Sequence, residues 1–458
     1  MYKLTTFHSD FLKMFSFENA ARGWFWASVL LLIAVVSISV HNWVPNDYDI
    51  GVYLAAAQRL KAGSILYNTA FSEEQGQAYL YPPAFASLVG FIPGGKVVKL
   101  SIWVSLIVLL FGYALRGGAK LAGVNDIKDL RKFYLFGMML LFYSVYEEIK
   151  LGQADLFVLS CLILGFLRLK KNNNVLAGVI FALAAHLKVI PIVLLPILLL
   201  QRDYRAVLGM LGGLLAFVFL PYIWAIQTHG VFGGIYRCIE LNIQWFERLL
   251  LPAIESDAIG GQVQYYIPNT SFHAVLHRLF GEGTLIWRKN ESWHSPIFFT
   301  IPRSILLVVS LLIPFAMYCA AGWVAWKGQK KWFNNMASLG LAFTASQMAN
   351  MLYWDGHYVG LLLVLVPMFA YSKRAKHRKL VWYAILPMFV LFTLPSQLVL
   401  LSVRSADMYS WNLAVSMKAV GIPLLTILIL WFTTFVCYAK RVRSSRTGLN
   451  QADAKHRS

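Results

Sequence analysis

Long apolar runs recur along almost the whole chain, and they restrict its fold more than any other feature of the sequence. Of the 458 residues, 58% are hydrophobic and only 14% are charged, whereas soluble proteins usually carry about a quarter charged residues. Many of the runs reach or approach the ~20 residues with which a helix spans a bilayer. Peptide groups inside lipid must be satisfied within their own segment, which favours helices. The sequence therefore predicts an all-α polytopic membrane protein, with residues 1–458 forming one integral membrane domain.

The apolar runs predict about twelve transmembrane helices. They are placed near 24–44, 97–116, 133–146, 154–168, 175–187, 189–200, 206–226, 301–326, 336–353, 358–372, 380–398 and 418–439. The apolar stretch 83–92 is too short to span, so we expect it to lie at the membrane face.

The distribution of charge predicts the orientation of these helices. The formal charge is +20, and most lysines and arginines fall in alternate short loops and in the tail 440–458, as cytoplasmic segments require. Because these residues are scattered, we expect no nucleic-acid partner. Both termini are predicted to be cytoplasmic, which leaves the loops 45–96 and 227–300 on the external side. We expect the setting to be the bacterial inner membrane, with the active site on its periplasmic face.

Two carboxylates open the first external loop. Asp49 begins a pattern typical of a helix, with Tyr53 on the same face. A carboxylate fixed there can accept a proton from a sugar hydroxyl, although a helix-cap role alone would also explain it. Asp47 and Asp49 form an Asp-x-Asp, yet the chain has no His-Glu-x-x-His and no Cys-x-x-Cys. We expect neither a metal nor any other cofactor.

Five groups of short motifs occur in one order between about residues 45 and 372. They are Asp49…Val52-Tyr53…Ala56 with Gly63…Leu66-Tyr67 and Tyr81-Pro82-Pro83; Gly152-Gln153-Ala154-Asp155; Ala177-Gly178…Lys188…Pro191; Asn269-Thr270-Ser271…Arg278; and Trp354-Asp355-Gly356-His357. This order resembles glycosyltransferase family 87, except that Gly356 stands where the family has a histidine.

The resemblance implies a GT-C-like fold and a specific reaction. Members of the family are polyprenol-phosphate-mannose-dependent alpha-mannosyltransferases. The implied partners are a polyprenyl-phosphate sugar as donor, a glycolipid or glycan as acceptor, and the lipid bilayer. Asp49 matches the acidic residue proposed as catalytic base, and His357 matches a functional histidine in a late external turn. Asp155 stands where the family also has asparagine, which argues against a base role for it.

Further site residues are predicted from charge and position. A lipid-phosphate leaving group requires positive charge near the membrane surface, and Lys188 and His357 are the leading candidates, although Lys188 would also suit a snorkelling role. Glu147 and Glu148 could form a metal pair, but they are interpreted as a solvated or Lys150-paired helix end. The predicted substrate-binding residues are Asp47, Tyr53, Tyr81, Gln153, Lys188, Tyr265, Asn269, Arg278 and His357.

Two other functions remain open from the sequence. A transporter or lipid-linked glycan flippase fits twelve spans and intramembrane prolines, but transporters usually show paired halves. A glycan polymerase or ligase with a diphosphate-linked donor would need several external arginines. Four arginines are available to such an enzyme: Arg237, Arg248, Arg278 and Arg288.

Overall fold

The computed structural model describes residues 37–39, 41, 49–67, 79–250, 269–288, 291–295, 298–328, 332–350, 353, 355–372 and 420–455. Within these ranges the chain is helical apart from one short antiparallel ribbon. The helices are α1 Asp49–Lys61, α2 Pro83–Val89, α3 Lys96–Leu121, α4 Ile127–Leu151, α5 Asp155–Lys170, α6 Asn174–Leu187, α7 Leu194–Leu200, α8 Tyr204–Val218, α9 Tyr222–Trp245, α10 Phe272–Phe280, α11 Arg303–Lys327, α12 Trp332–Ala349, α13 Leu362–Ser372 and α14 Ile422–Lys455. The ribbon pairs β1 Gly283–Arg288 with β2 Glu291–Ser295. Short 3-10 turns precede α7 at Ile190–Val193 and α13 at Asp355–Leu361.

Three described helices are long and apolar enough to cross a bilayer: α3, α11 and the Ile422–Val442 part of α14. Helices α8 and α9 qualify together as a fourth, bent by 65°. Other predicted spans form shorter apolar helices, such as α6. The structure thus supports a helical membrane protein with three or four such helices, while the number twelve and the GT-C-like arrangement stay predictions. The span predicted at 380–398 and most of the span at 24–44 lie outside the described residues.

The bend between α8 and α9 differs from the single span predicted over 206–226. Helix α8 ends at Val218, and Pro221 immediately precedes α9. Because proline cannot donate a backbone hydrogen bond, it suits the start of a new helix. A second irregularity lies within α9, where Gly230 has φ 69° and interrupts the helical conformation. Helix α9 then continues into the segment predicted as the long external loop.

The part of α9 after Gly230 has one exposed apolar stripe. Phe232, Ile235, Tyr236 and Ile239 recur at helical spacing and are all exposed, Phe232 by 86%. Such a stripe is typical of a helix that lies in the plane of a membrane interface. It is continuous in sequence with α8, whose exposed face is also apolar.

The other side of α9 holds the first loop, within residues 45–96, in place. Arg237 donates a hydrogen bond to the carbonyl of Ser64 at 3.0 Å, and Trp245 donates to the carbonyl of Leu80 at 3.2 Å. Helix α2 is short, as predicted for a segment that does not span. These contacts fix α1 and α2 against the helical core.

Glycines allow the closest helix contact in the described part of the chain. A Cβ atom added to Gly178 in α6 would overlap the carbonyl oxygen of Ala206 in α8, and one added to Gly209 in α8 would overlap the carbonyl of Val175. Small residues let helix backbones approach in this way in membranes. Helices α6 and α8 are therefore closely packed, and Lys188 directly follows α6.

Candidate functional site

The carboxyl group of Asp49 lies at the first residue of α1 and is half-buried. The side chain of Gln153 hydrogen-bonds to it, and Lys188 and Asp155 lie close enough to act on it electrostatically. Burial raises the pKa of Asp49, while the hydrogen bond from Gln153 and the charge of Lys188 oppose that rise. Asp49 is therefore more basic than an ordinary aspartate, as suits a general base.

A tight turn between α4 and α5 brings Gln153 to α1. Gly152 ends α4 in the left-handed conformation, with φ 70°, and its N–H donates to the carbonyl of Glu148. Trp103 Nε1 donates to the carbonyl of Gly152 at 2.9 Å. A Cβ atom at position 152 would lie 2.8 Å from the Cβ of Ile50. Both the backbone conformation and the close approach to α1 therefore require glycine.

Glu148 belongs to the site, and its interpretation as a solvated helix end is wrong. Its side chain is fully buried, and Oε2 accepts hydrogen bonds from the N–H groups of Asp155 at 3.0 Å and Leu156 at 3.3 Å. It thereby caps the N-terminus of α5, since the first N–H groups of a helix lack partners within it. The neighbouring Glu147 pairs with Lys150 at 3.1 Å, as predicted.

An ion-pair cluster lies beside Asp49. Lys188 Nζ is 2.8 Å from one carboxylate oxygen of Asp155 and 3.0 Å from the other. His357 Nδ1 lies 3.0 Å from Asp155 Oδ2, and Lys188 Nζ lies 3.4 Å from the imidazole nitrogens of His357. The structure thus brings together Lys188 and His357, which are 169 residues apart, and Asp155 lies between them.

Local structure holds the side chains of Lys188 and His357 in place. Lys188 follows the last residue of α6 in an extended conformation, so its side chain leaves the helix towards α5. His357 lies in the 3-10 turn before α13. Its carbonyl accepts hydrogen bonds from Gln347 Nε2 at 3.3 Å and from Tyr353 Oη at 3.4 Å.

Gly356 leaves room for the same cluster. A Cβ atom at this position would collide with Gln153 Oε1 and with Glu148 Oε1. A histidine at position 356 would therefore displace both side chains. The departure from the family motif leaves room for a buried carboxyl group and an amide at this point.

Tyr53 and Tyr81 form an aromatic wall next to Asp49. Tyr53 Oη donates to Tyr81 Oη at 2.8 Å, and their ring centroids are 5.0 Å apart. Burial raises the pKa of both phenols well above the ordinary value, and the negative charge of Asp49 adds to the rise. Both rings therefore remain neutral and present a polar edge to the site.

Asn269 and Arg278 brace the site from outside the cluster. Asn269 Oδ1 accepts the N–H groups of Ser271 and Tyr353, both at 3.1 Å. Arg278 is fully buried and donates to the carbonyl of Asn269 at 2.7 Å, and burial lowers its pKa to about 9. These contacts hold Tyr353 near the turn of His357. Binding of substrate by either residue stays a prediction.

Two site residues were not predicted from the sequence, and two predicted residues lie outside the described part of the chain. Glu148 and Asp155 were not among the predicted site residues. The available sequence signal for Glu148 was that it is an acidic residue at the end of an apolar helix, seven residues before Asp155. Asp47 and Tyr265 lie outside the described residues.

The cluster also has the composition of a cation site. One ligand atom each from Glu148, Asp155 and His357 lie within 4.8 Å of one another. Lys188 already pairs with both oxygens of Asp155. The expectation that no metal is required stays a prediction.

The arrangement combines a basic carboxylate, that of Asp49, with a lysine and a histidine that both contact Asp155. Asp49 can take a proton from a hydroxyl, while Lys188 and His357 can stabilise charge on a phosphate.

Comparison with protein families identifies the chain. The model of glycosyltransferase family 87 matches residues 79–349, which is more than half of the chain. The match includes Tyr81, Gln153 and Lys188, whereas Asp49 and His357 lie outside it. No curated protein and no solved structure matches the chain. The match favours the enzyme over the transporter, and the chain belongs to glycosyltransferase family 87.

Proposed function

We propose that this membrane glycosyltransferase moves a hexose, specifically mannose, from a polyprenyl phosphate to a hydroxyl of an external glycolipid or glycan. One observation carries the proposal. The Asp49 carboxyl group lies beside a buried cluster in which Asp155 holds Lys188 and His357 together. The motifs that resemble the mannosyltransferases support mannose as the sugar.

The proposed reaction is a single displacement. The acceptor oxygen attacks C1 of the sugar while its proton passes to Asp49. The bond between C1 and the phosphate oxygen breaks, and the polyprenyl phosphate leaves with the electron pair. Attack opposite to the leaving group inverts the anomeric centre, so a β-linked donor yields an α-glycoside.

Lys188 and His357 stabilise the leaving phosphate in this proposal. Asp155 orients both groups before the donor arrives, so little reorganisation is needed as charge develops. The charge of Lys188 also favours the ionised form of Asp49. Because Asp49 acts as a base, the transfer rate rises with pH through its pKa, which burial has raised.

The contacts of the external arginines favour a monophosphate donor over a diphosphate. Arg237 pairs with Glu240 at 2.7 Å, and Arg248 donates to the carbonyl of Tyr67 at 3.1 Å. Arg278 is buried against the carbonyl of Asn269. These three arginines serve the fold, which argues against the polymerase or ligase alternative.

The proposed location is the external face of the bacterial inner membrane, with both termini in the cytoplasm. The distribution of lysine and arginine supports this orientation. No nucleotide sugar is needed there, because the lipid carries the activated sugar to the site.

Sugar transfer by the native chain and by Asp49→Asn tests the proposal. The protein is placed in liposomes with a polyprenyl-phosphate mannose and a glycolipid acceptor. A polyprenyl-phosphate glucose serves as the comparison donor. The asparagine keeps the shape of the side chain but loses its basicity, so transfer should fall about 10²-fold or more. Asp129→Asn, in the first turn of α4, is the matched control and should transfer normally.

Two outcomes would contradict this proposal. Equal transfer by the native chain and by folded Asp49→Asn would remove Asp49 from the mechanism. Faster transfer from a diphosphate-linked donor would favour the polymerase or ligase.

A further inference from the structure

Two buried acceptor atoms face the same point beside Gly356. Glu148 Oε1 and Gln153 Oε1 are buried and have no hydrogen-bond donor among the described residues. Both approach the position that a Cβ of Gly356 would occupy. Two buried acceptors at one point are unfavourable unless a hydrogen atom, from a protonated carboxyl group or a water molecule, or a cation satisfies them.

The charges of the cluster favour the hydrogen atom. Three carboxyl groups, those of Asp49, Glu148 and Asp155, converge on Lys188 and His357. If Glu148 is neutral, two carboxylates face two groups that can carry positive charge. A buried third carboxylate without a cationic partner would be unfavourable.

We propose that Glu148 is a neutral carboxylic acid whose Oε1–H donates to Gln153 Oε1 and so fixes the side chain that holds Asp49. A glutamine amide has one acceptor oxygen and one donor nitrogen. When Oε1 accepts from Glu148, Nε2 points to the carboxyl group of Asp49 and donates to it. Glu148 is a positioning residue that acts on the base through Gln153, and this inference rests on the proposed role of Asp49.

The contacts of the second oxygen agree with a neutral acid. Oε2 accepts the N–H groups of Asp155 and Leu156. A protonated carboxyl group has one O–H donor and keeps acceptor capacity on its other oxygen. One side chain thus caps α5 with Oε2 and orders Gln153 with Oε1.

Three substitutions separate this role from a structural one. Glu148→Gln keeps an acceptor for the α5 cap and a donor for Gln153, so transfer should stay within about threefold of native. Glu148→Leu removes both and should lower kcat about tenfold or more. The control is Glu147→Gln, which breaks only the pair with Lys150 and should behave as native.

The pH dependence of kcat separates the two roles of Glu148, because loss of the α5 cap alone would not shift it. Without Glu148, the amide of Gln153 is free to turn, and Asp49 loses a hydrogen bond that favours its ionised form. The acidic limb of kcat should therefore move to higher pH in Glu148→Leu and stay in place in Glu148→Gln. The other groups that act on this limb are Lys188, Asp155, Tyr53 and Tyr81.

A measurement without substrate tests the proton directly. The infrared spectrum of the native protein should contain the C=O band of a buried neutral carboxylic acid, and Glu148→Gln should lack that band. This result does not depend on sugar transfer. Failure of the native chain to transfer mannose would reject the proposed function while leaving the protonation of Glu148 open to this test.

Several results would overturn the inference. They are loss of transfer in Glu148→Gln equal to that in Glu148→Leu, an unshifted acidic limb in Glu148→Leu, or absence of the infrared band. Bound Mn²⁺ or Zn²⁺ that disappears in Glu148→Gln would replace the proton with a cation held by Glu148, Asp155 and His357.

Discussion

Lys188 is the residue whose position depends most on distant parts of the chain. Its amine pairs with Asp155, and both side chains are mostly buried, at 15% and 7% exposure. A buried charge that loses its partner is destabilising by about 3–5 kcal/mol. The pair of Lys188 and Asp155 therefore contributes to the stability of the fold as well as to the proposed reaction.

Lys188→Met should lower stability strongly, because the carboxylate of Asp155 would then face only His357 among its present ion-pair partners. Thermal unfolding in detergent measures the loss. The double variant Lys188→Met with Asp155→Asn should recover part of it, since no unpaired carboxylate remains.

The pair of Lys150 with Glu147 is the matched control. Lys150 is 47% exposed, and exposed pairs contribute about 0–1 kcal/mol. Lys150→Met should therefore leave the unfolding temperature nearly unchanged. An equal fall in unfolding temperature in Lys150→Met and Lys188→Met would contradict the claim that burial makes the Lys188 pair more important for stability.

Residue chemistry could be predicted from the sequence only in part. Lys188 and His357 were predicted to contact one phosphate, because each belongs to a motif of the family. The structure places them next to each other. Glu148 was not predicted, because a glutamate near a lysine at a helix end is usually solvated. Its burial depends on α5 and on the turn of Gly356, which local sequence does not reveal.

At the scale of elements, the contact between α6 and α8 depends on two glycines. Gly209→Ala would place a methyl group against the carbonyl of Val175. Overpacking of this kind costs about 1–3 kcal/mol. We expect a lower unfolding temperature and reduced transfer, because Lys188 follows directly after α6.

Gly212→Ala is the control in the same helix. A Cβ atom there meets nothing within 4 Å, and alanine is the better helix former. Its stability should equal or exceed that of the native chain. Equal destabilisation by both substitutions would show that α6 and α8 are less closely packed than described.

Elements were predicted better than their boundaries. Helices α3, α5, α6 and α11 lie where apolar runs predict them, since a run of that length forms few other structures in lipid. The break between α8 and α9 was missed because residues on both sides are apolar. Pro221 was the available signal.

At the scale of the whole molecule, the orientation in the membrane is still a prediction. Cysteine labelling tests it in a background in which Cys161, Cys238, Cys319 and Cys437 are replaced. Ser64→Cys, at an exposed position of the first loop, should react with an impermeant thiol reagent added outside intact cells. Lys171→Cys, at the exposed end of α5, should react only after the membrane is opened. The reverse pattern would place the site in the cytoplasm.

The exposed stripe of α9 has a consequence for how the enzyme meets its donor. Helix α9 contacts the first loop on one side and exposes Phe232 and Tyr236 on the other, so in the proposed orientation it would join the site to the plane of the outer leaflet. The proposed lipid-linked donor would then arrive by lateral diffusion in two dimensions. The rate should follow the mole fraction of donor among the lipids, so that diluting the donor with inert phospholipid slows transfer even when the amount of donor per volume is constant.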